Sequence, residues 1–143
     1  MAFFNTRFWL LASGTLMTVF PTISALSGQT VAGAPAFWTG TLSDREAEIA
    51  AVVELAWGFH ILALGLVILA IGLLAADPVR ARLGVVAMVA FALSQGLSAG
   101  TAAPFGYGGA GDMGPIAVVI IGVPLLTLII CAVRWNSRPA VSA

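Results

Sequence analysis

The chain has 143 residues and zero formal net charge, with 60% of its residues hydrophobic and 8% charged, where a soluble domain carries about a quarter charged. That composition describes an integral membrane protein, and with no basic cluster it excludes nucleic acid as a partner, because phosphates call for a positive surface. One cysteine, Cys131, and one histidine, His60, leave no intramolecular disulfide and no zinc or iron–sulfur spacing.

Four apolar segments, at about 8–26, 48–76, 83–103 and 115–135, each approach the ~20 residues that cross a bilayer. They predict an all-α integral membrane four-helix bundle forming a single membrane domain over 1–143. The first segment follows Arg7 and ends near ISA, a pattern that signal peptides share; we read it as a retained helix. Thr15, Thr18 and Thr22 share one of its faces, and Pro21 predicts a kink. The loop that follows, SGQTVAGAPAFWTGTLSDREAE, carries Phe37 and Trp38 and ends in Ser43, Asp44, Arg45 and Glu46, the spacing of a capping box. Its acids Asp44, Glu46 and Glu48 suit the positive end of a helix dipole.

The second segment contains ELAWGFHILALG, residues 54–65. Ionisable groups are costly in hydrocarbon and mark ion paths, ligand sites or internal pairs, so Glu54 and His60 are candidates for one of these roles. At about 100° per residue, Glu54, Gly58, Ile61, Gly65 and Gly72 fall on one face. Small residues let membrane helices approach closely, so Gly58, Gly65 and Gly72 predict a helix contact that carries Glu54 inward. His60 lies roughly 120° around the helix, on a face with Trp57, which disfavours a direct relay between Glu54 and His60. Trp9, Trp38, Trp57 and Trp135 fit an interfacial aromatic belt.

DPVRAR reads as a short turn. The third segment then places Ser94, Gln95, Ser98 and Thr101 on neighbouring positions of one side. An antiparallel hairpin about that turn brings His60 level with Ser98 and Ala99, and Glu54 near Thr101. Glu54, His60, Gln95 and Ser98 are therefore the ligand- or proton-binding candidates. The glycine-rich PFGYGGAGDMGP reads as a flexible connection, lacking the lysine and flanking elements of a phosphate loop. Pro124 predicts a kink in the last segment, with Thr127 placed to take up the freed carbonyl.

Arg7, Arg80, Arg82, Arg134 and Arg138 fall on one side of this topology, and Arg45 alone on the other. The positive-inside bias puts both termini in the cytoplasm. The FHILALGLVILAIGLL pattern, the short basic turn and the Gly96-Leu97-Ser98 segment resemble the DoxX-like superfamily of small four-helix membrane proteins. The resemblance implies a compact bundle, in some members associated with quinone-linked redox enzymes or oxidative-stress complexes, and carries no catalytic residue onto this chain.

The leading functional expectation is a non-catalytic accessory or assembly subunit of a larger membrane complex, its partners being the lipid bilayer and other subunits or further copies of itself. Two alternatives stand beside it: a small oligomeric proton-coupled transporter using Glu54, and quinone or pigment binding through His60. One histidine and one cysteine assemble no catalytic or metal cluster, so catalysis by this chain alone is not expected, and the sequence requires no cofactor.

Overall fold

The computed structural model describes residues 5–108 and 114–136, with side chains for all of these except 114–117. Arg138 and the middle of the glycine-rich loop lie outside the described residues. In chain order the elements are α1 (Thr6–Leu26), α2 (Gln29–Gly33), a 3-10 turn (Ala34–Phe37), α3 (Asp44–Leu74), α4 (Val79–Ala102), a second 3-10 turn (Ala103–Phe105) and α5 (Gly114–Val133). The described chain is all-helical, and its β pairing is limited to an isolated bridge between Trp38 and Tyr107. Three helices are long and apolar enough to cross a membrane: α1, α3, and α4 with the turn after it; α5 adds a shorter apolar stretch, Val118–Val133.

The capping box read at Ser43 forms, and the start of α4 differs from the sequence expectation. Helix α3 begins at Asp44, ahead of its apolar run, because the capping box forms: Ser43 Oγ accepts from the Glu46 N–H at 3.4 Å and Glu46 Oε2 accepts from the Ser43 N–H at 2.8 Å. Helix α4 begins at Val79, four residues before the expected 83, with Pro78 as its N-cap. A proline at a helix start gives up an N–H that the helix leaves unpaired there anyway. Most of DPVRAR is therefore helix, with Arg80 and Arg82 in its first turn. The segment between α1 and α3, read from sequence as a loop, also holds the five-residue α2 and a 3-10 turn.

Polar bonds draw three chain segments together at one end of the bundle. The Thr6 hydroxyl at the start of α1 donates to the Asp77 carboxylate, at 2.9 and 3.1 Å to its two oxygens. Arg80 reaches the Ala75 carbonyl and stands 3.9 Å from Asp77. Arg82 Nε donates to the Trp135 carbonyl beyond α5 at 3.3 Å. Arg7, Arg80, Arg82 and Arg134 thus share one end with the α3–α4 turn.

The tightest packing is α1 against α3. A Cβ on Gly65 would lie 2.7 Å from Thr18 Oγ1 and 2.9 Å from the Met17 backbone; one on Gly14 would lie 2.7 Å from Leu69 Cγ and 2.8 Å from its backbone nitrogen. The two glycines let the backbones meet where hydrophobicity alone does not drive helix against helix. Around the crossing lie the buried Leu10, Met17, Ile68, Met88 and Cys131. Helix α5 joins through a buried hydroxyl pair, Ser13 and Thr127, 2.7 Å apart. Thr127 also stands 2.8 Å from the Val123 carbonyl and 3.1 Å from the Trp9 carbonyl; with its one proton on either, it accepts from Ser13. That arrangement replaces the expected capture of the carbonyl freed by Pro124, since Thr127 is held by α1 and by its own helix one turn back.

Candidate functional site

The helices separate toward the end opposite the arginines. Along the α3 stripe, a Cβ on Gly72 would approach Leu11 Cδ2 to 3.2 Å, one on Gly65 would clash, and one on Gly58 would stand 3.7 Å from Pro21 Cβ, an ordinary contact. Beyond Gly65 the space between α1, α3, α4 and α5 opens into a cavity of about 910 Å³, at the large end of the range for small-molecule sites. Its floor is apolar, with Met17, Met88 and Leu128, and both in-helix prolines, Pro21 and Pro124, line it. Its head carries Glu54, Trp57, Gln95 and Tyr107.

The head is assembled by three segments distant in sequence. Trp57 Nε1 on α3 donates to Gln95 Oε1 on α4 at 2.6 Å. Tyr107 enters from the glycine-rich connection, between Gly106 (φ 90°) and Gly108 (φ 142°), conformations that side chains with a Cβ rarely adopt. Backbone bonds fix it: Thr39 N–H donates to the Gly106 carbonyl at 2.7 Å and Gly108 N–H to the Phe37 carbonyl at 3.0 Å. The Tyr107 ring stacks on Trp57 at 5.3 Å and on Phe37 at 6.3 Å, and Trp38 meets it edge-on at 5.3 Å. Burial first, and the Glu54 carboxylate second, push the Tyr107 phenol well above its ordinary value. It therefore keeps its proton and donates toward Glu54.

Three buried polar atoms at this end have no hydrogen-bond partner among the described residues: Glu54 Oε1, Gln95 Nε2 and Trp38 Nε1. Such atoms are rare in folded proteins and each calls for an explanation. Two of the three residues, Glu54 and Gln95, face the same cavity.

Of the four residues singled out from sequence, the fold brings Glu54 and Gln95 together and leaves His60 and Ser98 apart from them. His60 is exposed and its Nε2 lies 2.8 Å from Ser94 Oγ, on the outer side of the α3–α4 pair. It meets Ser94 rather than Ser98 because the early start of α4 shifts the hairpin register by about one turn. Ser98 is exposed, its carbonyl accepting from Thr101 at 3.1 Å. Trp57 stands at the cavity head. Sequence reasoning missed Tyr107 and Phe37; a lone tyrosine within a glycine-rich loop was the available signal. Among the described residues no cluster of His, Cys, Asp and Glu is placed to hold a metal ion. No family model, no curated protein and no solved structure matches the chain.

Proposed function

We propose that the protein is a four-span membrane protein that binds one amphipathic small molecule within the bilayer. The polar head of that molecule sits at Glu54 and Gln95, and its apolar part lies among Met17, Met88 and Leu128. One observation carries this reading: two unpartnered polar atoms, Glu54 Oε1 and Gln95 Nε2, belong to residues at the head of a mostly apolar cavity. Burying either without a partner costs about 1–3 kcal/mol, a cost that a bound polar group offsets.

The spans in this reading are α1, α3, α4 and α5, with both termini and the arginine-bearing turn in the cytoplasm of a bacterium. The arginine asymmetry supports that orientation. The twenty residues 55–74 of α3 measure about 30 Å, the thickness of the hydrocarbon layer. Glu54 then stands at the outer hydrocarbon boundary, where a headgroup resides and the cavity below it receives a chain or ring system. The DoxX-like relationship stays within this proposal: the up-and-down helix order suits it, and no residue role is taken from it.

Of the sequence expectations, the one built on Glu54 lies closest to this geometry. Quinone or pigment binding through His60 would take place outside the cavity, on the α3–α4 surface, and an accessory role rests on no particular surface of the fold. The test is native mass spectrometry of the protein purified in a mild detergent, with solvent extraction of bound small molecules. The expected result is a stoichiometric small molecule on the wild type that is absent from Ala92→Phe, where a phenyl ring projects into the cavity. Identical small-molecule content in the two proteins would overturn the reading.

A further inference from the structure

Resting on the binding reading above, we propose that the ligand is a lipophilic cation, with Glu54 as the counter-ion of its positively charged centre. No basic side chain of the described chain stands at the cavity head. Arg7, Arg80, Arg82 and Arg134 belong to the far end of the bundle, and Arg45 pairs with Glu48 at 3.1 Å on the surface. His60 is turned to Ser94 on the other side of α3. The polar group directed at Glu54 is the Tyr107 hydroxyl, a single neutral donor, and Oε1 is left over.

A carboxylate in such a place either stays neutral or finds an opposite charge. The surroundings favour an opposite charge. Phe37, Tyr107 and Trp57 form a three-ring stack beside Glu54, and all three residues line the cavity. Rings there keep water from the carboxylate, so its attraction for a cation is far less screened than in solvent. They also give a large, weakly hydrated onium or ammonium centre apolar contact, which a small hydrated metal ion would not use. The apolar floor takes the hydrophobic remainder of the same molecule. Gln95, its oxygen already engaged by Trp57, offers Nε2 to an acceptor atom next to the charged centre.

The experiment compares two probes of one shape and opposite charge, tetraphenylphosphonium and tetraphenylborate, on the purified full chain. Binding is taken as the part that Ala92→Phe removes. The expected result is such binding of tetraphenylphosphonium and none of tetraphenylborate, with affinity for the cation falling about tenfold or more in Glu54→Gln, which keeps the size and hydrogen-bonding capacity of the side chain. Equal binding of the two probes, or cation binding indifferent to Glu54→Gln, would overturn the cation assignment and leave the cavity as a site for neutral amphiphiles. If Ala92→Phe changes neither probe's binding nor the content of co-purified small molecules, both the assignment and the binding reading fall. Glu54→Gln is to elute as the wild type does; should it not, Trp57→Phe, which keeps a ring but loses the bond to Gln95, is expected to lower cation affinity severalfold, and unchanged affinity would count against the proposal.

Discussion

The two ends of the bundle are made of similarly apolar helices and differ in how closely those helices approach. At the arginine-bearing end and through the middle, Gly14, Gly65 and Gly84 meet backbone or side chains at distances that leave no room for a methyl group. There the Ser13–Thr127 and Thr6–Asp77 bonds pair hydroxyls across the elements, with Arg80 Nε the one buried polar side-chain atom left without a partner among the described residues of that end. At the other end Gly58 has room to spare, Pro21 and Pro124 lie within the helices, and Glu54 Oε1 and Gln95 Nε2 go unmatched. Hydrophobicity alone does not drive helix against helix in a bilayer, so it does not decide where a membrane protein is solid and where it is hollow. Small residues at the crossing and partners for the hydroxyls decide it.

Substitutions along the glycine stripe test that contrast most strongly. Gly65→Ala is expected to cost about 1–3 kcal/mol through overpacking, and Gly65→Leu to prevent recovery of a monodisperse folded protein. Gly58→Ala, on the same face two turns away, should stay within about 0.5 kcal/mol of wild type. Thermal unfolding in detergent reads all three, and equal effects at the two glycines would erase the distinction drawn between the ends. A smaller loss, about 1 kcal/mol, is expected for Thr127→Val, which strands the Ser13 hydroxyl; a double-mutant cycle with Ser13→Ala should show that the two losses are not additive. Trp57→Phe should cost about 0.6 kcal/mol, the usual worth of an interhelical hydrogen bond in a membrane. Ser98→Ala should be silent within about 0.5 kcal/mol, its side chain being exposed on α4. A loss at Ser98 comparable to that at Trp57 would bring Ser98 back among the functional candidates.

Much of the helical framework is legible in the amino-acid sequence because it rests on local signals. The capping box at Ser43, the apolar runs and the seven-residue recurrence of Gly58, Gly65 and Gly72 depend on neighbours along the chain; the structure forms the box and packs closely at Gly65 and Gly72, while Gly58 has room for a methyl group. The site is less legible because it rests on long-range register. Reading residues 79–82 as part of the turn delayed α4 by one turn, and that single error set Ser98 rather than Ser94 opposite His60 and hid the Trp57–Gln95 bond. Tyr107 was out of reach for a different reason. Nothing local in PFGYGG says that its ring will lie between Phe37 and Trp57, since that depends on backbone bonds from the connection before α3.

Helix α3 holds α4 by two side-chain bonds only three residues apart along its length, Trp57 to Gln95 and His60 to Ser94. Fastened at one level, α4 is held against sliding past α3, while tilting about that level would leave both bonds in place. Tilting alters the width of the space beneath the fastening while the spacing of Gln95 from the α3 side chains beside it is preserved. A bundle fastened in this way sets the polar side chains of its head at one station, whatever the width of the space below them.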